Sequence, residues 1–153
     1  MDKGIYCLVL KNPACTARIG ALGSLPFAEG WHCYIGSALG PGGLVRLERH
    51  LFLAEHRDRQ PRWHIDYLLT DPRFAVAYAV SAPTEERLEC RLAAALAGGG
   101  TSVPGFGCSD CDCPSHLMYR SRDPQQEIVA AFSSLGLSPG IKTIIIPKGQ
   151  GNV

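Results

Sequence analysis

The sequence predicts an α+β domain: a small central antiparallel sheet of about three strands, flanked by helices and followed by a C-terminal helix–strand extension. Three observations predict it. An apolar run of strand length opens the chain, a helical apolar spacing follows a glycine-rich break near residue 43, and a second alternating apolar run precedes another helical stretch. The 153 residues suit a single domain, with a core over about 4–119 and the extension over about 120–153.

Taken in order, Gly4-Ile5-Tyr6-Cys7-Leu8-Val9-Leu10 has strand length and is closed by Lys11-Asn12-Pro13. Residues 16–30 hold Gly20, Gly23, Pro26 and Gly30, which favours a turn-rich hairpin connection. His32 to Ile35 reads as the second strand. Leu44, Leu47, Leu51 and Ala54 recur at three- and four-residue steps, predicting a helix over about 43–57 that Pro61 ends. Trp63 to Thr70 fits either a short helix or an extended segment. Phe74 to Val80 alternates bulky and small apolar residues as a third strand. Thr84 can cap the next helix, with Leu88, Leu92 and Leu96 on one side, until Gly98-Gly99-Gly100 stops it. A Cys-rich loop spans 106–116, and the tail offers a helix near 124–135 and a strand near 141–146.

The composition, 46% apolar and 19% charged, is that of a globular protein. The start Met1-Asp2-Lys3 is no secretory signal, and no apolar run nears the roughly 18 residues of a membrane span, so a cytoplasmic protein without membrane contact is expected. A net charge of +1 does not advertise nucleic-acid binding, but its distribution does more. Arg46, Arg49, Arg57, Arg59 and Arg62 stand against Glu48, Glu55 and Asp58, a local stripe that can serve a phosphate backbone or simply be a solvated helix face. Seven cysteines without secretion cues argue against a disulfide framework; Cys7, Cys33 and Cys90 are expected as small buried hydrophobes.

The informative feature is a set of positions. Gly4-Ile5-Tyr6 opens the first strand and Tyr34-Ile35-Gly36 closes the second. Arg46 and His50, four apart on the first helix, share a face, and Glu89 sits on the later helix. In this order they resemble the GIY-YIG nuclease superfamily. The long gap between the triplets, with Trp63-His64-Ile65-Asp66-Tyr67-Leu68-Leu69, Gly36-Ser37-Ala38 and Phe106-Gly107-Cys108-Ser109-Asp110-Cys111, is similar to its Uri-type endonuclease branch, a former domain of unknown function sometimes fused to endonuclease-III-type DNA glycosylases. The resemblance covers residues 4 to about 119.

That resemblance implies a metal-dependent endonuclease hydrolysing phosphodiester bonds in DNA, in repair or processing, with a DNA glycosylase or other repair protein as a further partner. Tyr6, Tyr34, Arg46, His50 and Glu89 fall on its catalytic positions; Ser37, Arg49 and His64 are expected to bind substrate. Glu89 would hold one Mg²⁺ or Mn²⁺, since a hard cation with one carboxylate and several waters is ordinary magnesium coordination. Arg46 would pair with the scissile phosphate through its planar fork. Either tyrosine would orient or deprotonate the water; a phenol of pKa about 10 needs a nearby cation for a basic role, and Arg46 and the metal are candidates. His50 would accept a proton or bind phosphate, or else pair with Asp66. His64 and Asp66, two apart, would share a face on a strand, with Asp66 positioning His64.

Cys108, Cys111, Cys113 and His116 gather three thiols and an imidazole, an inventory for a tetrahedral Zn²⁺. The spacing is tighter than two separated ligand pairs and favours a packed turn with reduced thiols over zinc. Two other classes remain: a nucleic-acid-binding module without catalysis and a zinc-stabilised interaction domain.

Overall fold

The strand β1 (Gly4–Asn12) is buried along nearly its whole length, because it lies at the centre of the sheet with a core on each face. In the computed structural model, residues 2–107 and 114–144 are described. The other strands are β2 (Cys15–Arg18), β3 (Ser24–Phe27), β4 (Gly30–Ala38), β5 (Ala75–Pro83), β6 (Leu117–Arg120) and β7 (Gly140–Thr143). The helices are α1 (Val45–His56), α2 (His64–Leu69), α3 (Glu89–Ala97) and α4 (Gln125–Ser134). Five antiparallel strands form the sheet in the order β6-β4-β1-β5-β7, and β2 and β3 make a separate hairpin.

The alternation of a strand sorts β1 between the two cores. Tyr6, Leu8 and Leu10 join the front core with Leu47 and Leu53 of α1, Ile65, Leu68 and Leu69 of α2, and Ala17 and Phe27 of the hairpin. Ile5, Cys7 and Val9 join the back core with Leu92 and Leu96 of α3 and Ile128 and Phe132 of α4. A run buried on both faces carries no polar alternation, which is why β1 reads as a continuous apolar segment.

The α+β class and antiparallel sheet are as predicted, but the sheet has five strands, not about three. β6 follows the Cys-rich loop and is four residues long, too short to carry a period. β7 belongs to the C-terminal extension and pairs with β5, so the extension completes the sheet. The predicted hairpin over 16–30 is β2–β3 around a single 3₁₀ turn (Gly20–Leu22), and β1 and β4 still pair without a break from Gly4 opposite Ala38 to Asn12 opposite Gly30.

The ambiguous segment after Trp63 is the helix α2. Asp66 Oδ2 reaches back to accept the backbone N–H groups of Arg62 (2.9 Å) and Trp63 (3.1 Å). α1 has the extent expected, although Pro61 does not end it, and the start of α3 differs from expectation. α1 stops at His56, where Arg57 turns left-handed (φ 49°) and its N–H returns to Leu53 O, before Pro61 is reached. Thr84 caps no helix: its Oγ accepts Glu86 N–H (3.1 Å) in a local turn, and α3 starts later, at Glu89. Among the described residues no helix is long and apolar enough to cross a membrane.

Candidate active site

The two triplets divide their work by strand parity. Ile5 and Ile35 face the back core as fully buried anchors, and the tyrosines face the front. Register sets Tyr6 opposite Gly36 and Leu8 opposite Tyr34, so Tyr34 lies diagonal to Tyr6 on one face. The glycine has a steric reason. A Cβ on Gly36 would come within 2.5 Å of the Tyr6 ring and hydroxyl, so only glycine lets the phenol cross this point of β4.

α1 then brings its buried stripe over the tyrosines. Leu47, His50 and Leu53 point inward, and His50 Nε2 lies 2.9 Å from Tyr6 Oη, both groups almost fully buried. The bland partner for His50, Asp66, is engaged by the backbone at the start of α2. Burial pushes the His50 imidazole down to about 4, the Asp66 carboxylate opposing and Arg46 assisting that shift. Burial drives the Tyr6 phenol well above its ordinary value; Tyr34 and Asp66 add to this and Arg46 opposes it without prevailing. At neutral pH the pair is therefore a protonated phenol hydrogen-bonded to a neutral imidazole. Arg46 does not make Tyr6 a base by itself, contrary to one expectation for this residue.

Arg46, one turn before His50, is exposed. Its Nη1 donates to Ser37 O (3.2 Å) and its guanidinium lies 5.1 Å from the centre of the Trp63 ring. Ser37 thus holds Arg46 through its carbonyl. Tyr34 meets His50 edge-on at 6.3 Å and Phe106 at 6.1 Å between ring centres. His64 stands at the start of α2, not on a strand; its Nδ1 accepts the Gly107 N–H (2.8 Å), and the His64–Asp66 pair is not formed.

Both tyrosines, Arg46, His50, Trp63 and His64 line one cleft of about 540 Å³. Tyr6, Tyr34, Ser37, Arg46, His50, His64 and Glu89 are brought together there from two strands and three helices. Arg49 is not: it faces a neighbouring hollow, described below. Glu89 enters from the first turn of α3, although that helix packs on the back core. Its Oε2 is buried and has no hydrogen-bond partner among the described residues. A buried carboxylate oxygen left unsatisfied is costly, and a cation is the ligand that would satisfy it. The carboxylate therefore fits a hard divalent metal. Among the described residues no group of three or more His, Cys, Asp or Glu side chains is placed to hold an ion by itself, which is compatible with one carboxylate completed by water and substrate oxygens.

The cleft also gathers residues the sequence reading did not assign. Arg62, Trp63 and Arg87 line it, so among the described residues three arginines, Arg46, Arg62 and Arg87, face it against the carboxylate of Glu89. In the sequence Arg62 is only part of a charge stripe, and Arg87 only one residue of the segment before α3. Nothing local marks either as facing the cleft.

Of the proposed zinc ligands, Cys108, Cys111 and Cys113 lie outside the described residues. His116 is part of the cleft wall, tied by backbone hydrogen bonds to Ile35 and Phe106 (both 2.9 Å), with its Nε2 3.8 Å from Cys90 Sγ. Burial lowers its pKa, with the Glu89 carboxylate opposing. Cys7 and Cys33 are buried hydrophobes as expected, whereas Cys90 is only half-buried and neighbours the cleft.

No curated protein and no solved structure matches the chain. A family model does match, over residues 5–137, which takes in both cleft tyrosines, the whole cleft, α4 and the back core. The chain belongs to that family, described as Domain of unknown function DUF123.

Proposed function

We propose that the chain is a metal-dependent endonuclease that hydrolyses phosphodiester bonds in DNA, acting in repair or processing as the GIY-YIG resemblance implies. The observation that carries this reading is the convergence of Tyr6, Tyr34, Arg46, His50 and Glu89 on one cleft with Arg62 and Arg87. Phosphodiester hydrolysis needs an activated water, neutralisation of the phosphate oxygens and help for the leaving oxygen.

The cleft offers a residue for each need. Arg46, fixed by Ser37 and Trp63, pairs with the non-bridging oxygens, and Arg62 and Arg87 add positive field around them. A water at the Tyr6 hydroxyl gives its proton to the phenol oxygen as the phenol proton passes to His50 Nε2. This route needs no phenolate, so the raised pKa of Tyr6 does not oppose it. The water oxygen bonds to phosphorus as the bond to the leaving sugar oxygen breaks, and the proton on His50 returns to that oxygen through solvent. Tyr34, edge-on to His50, orients the water. Glu89 would hold one Mg²⁺ or Mn²⁺, which when bound supplies charge neutralisation at the phosphate and leaving oxygens.

The test is a cleavage assay on supercoiled, single-stranded and branched DNA with Mg²⁺ or Mn²⁺. Metal-dependent cutting by the wild type, reduced about 10³-fold or more in Arg46→Ala and Glu89→Ala, is the expected result. A wild type that binds DNA without cutting it reduces the reading to a binding module. Cutting that persists in Glu89→Ala rejects the assigned site.

A further inference from the structure

A second hollow, of about 280 Å³, adjoins the cleft, and Trp63, His50 and Arg62 line both. Beyond that shared wall it is lined by Arg49 and Arg59, from α1 and the segment after it. Among the described residues three guanidinium groups thus surround a space whose one lining carboxylate, Asp66, is already accepting two backbone N–H groups. Trp63 stands between the two spaces with 52% of its surface exposed. The guanidinium of Arg46 and the edge of His50, at 5.1 and 6.0 Å from the ring centre, fix its place. A large aromatic ring left in water among arginines, beside a site read as phosphate-binding, has the make-up of a base-stacking platform with a backbone cradle.

We propose that this hollow holds an unpaired nucleotide adjoining the scissile phosphate, its base stacked on Trp63 and its phosphate held by Arg49, Arg59 and Arg62. The inference rests on the nuclease reading and narrows its substrate class to DNA with an unpaired strand beside the cut. In a duplex the base is stacked on its neighbours and its flat face is not offered to a side chain; in a single strand or at a branch it is. Arginines that contact phosphate alone would not distinguish the two forms, whereas the indole does.

The experiment measures binding, not cleavage, by fluorescence anisotropy of labelled DNA in EDTA with the full chain. An oligothymidylate and a duplex of equal length are compared. The wild type is expected to prefer the single strand. Trp63→Ala should weaken single-strand binding by about 10- to 100-fold and duplex binding far less. Arg59→Ala, whose side chain lines only the second hollow, should lower the slope of log affinity against log salt by about one. Equal affinity for both DNAs, or a Trp63→Ala variant that binds the single strand as the wild type does, overturns the inference. If metal-dependent duplex cutting survives alongside that result, the nuclease reading stands and only the unpaired-nucleotide subsite falls. If the wild type neither binds nor cuts any DNA, both fall.

Discussion

Two buried imidazoles of this protein look alike until their surroundings are compared. His32 and His50 are 1% and 3% exposed, both belong to the front half of the molecule, and burial pushes each down to about 4. Each has one polar partner at bonding distance, Asn12 Oδ1 at 2.8 Å for His32 and Tyr6 Oη at 2.9 Å for His50. Around His32, however, stand Phe27, Phe74 and Tyr119, at 5.4, 6.2 and 5.4 Å between ring centres, and it lines neither hollow. Around His50 stand Tyr6, Tyr34, Arg46 and Trp63, at the wall of a cleft that also holds Glu89. A shifted pKa marks burial in both places. What separates a structural histidine from a candidate catalytic one here is access and the chemistry of the neighbours.

The first way to test the likeness is pH. Both imidazoles are harder to protonate folded than unfolded, so the unfolded chain binds more protons once the pH drops below its histidine value of about 6.5. The stability that these groups permit is complete above that value and is lost progressively as pH falls from about 6.5 to about 4. Each contributes about 3 kcal/mol to this loss, an order-of-magnitude figure. Urea melts at pH 7.5 and 4.5 should show the fall, and a variant lacking either imidazole should show a shallower one. An unchanged midpoint across this window would mean that the two rings are not buried as described.

The second way is to disturb only the cleft. Gly36→Ala forces a methyl into the Tyr6 ring, with an expected cost of about 1–3 kcal/mol and a loss of cutting as the phenol leaves His50. Gly40 lines the same cleft, yet a Cβ there meets nothing within 4 Å. Gly40→Ala should therefore melt and cut like the wild type. Equal behaviour of the two variants would remove the steric account of the glycine. A smaller effect is expected at Trp63: Trp63→Leu removes the ring beneath Arg46 and should cost less than about 1 kcal/mol of stability, measured by the same melts.

Much of this comparison was legible in the sequence, and the illegible part has physical causes. Arg46 and His50 are four apart, so any helix over them gives a common face. Tyr6 and Tyr34 sit at the same parity of two paired strands, and burial of the intervening isoleucines follows from period two. β6 escaped notice because four residues after a Cys-rich loop show no period. α2 is ambiguous in the sequence because six residues make fewer than two turns, and its start depends on Asp66 reaching back to two N–H groups. Arg62 belongs to a charge stripe and Trp63 to a motif of the resemblance, but nothing local to them or to Arg87 points at the cleft. Their place in the cleft is decided by how α1, α2 and the segment before α3 dock on the sheet, which is tertiary information. The same holds for His32, whose enclosure by rings from β3, β6 and the turn before β5 no local pattern announces.

The most direct measurement sets the two histidines side by side in single-turnover cleavage of branched DNA with Mg²⁺, using the wild type, His32→Ala and His50→Ala. The temperature is chosen so that all three are folded. Both variants should lose stability, by about 1–3 kcal/mol for the polar partner left unsatisfied. Only His50→Ala should lose rate, by about 10²-fold or more, while His32→Ala cuts as the wild type does. A His50→Ala variant that cuts at the wild-type rate, or two variants whose rates fall together with their stability, would contradict the placement of the chemistry at the Tyr6–His50 cleft.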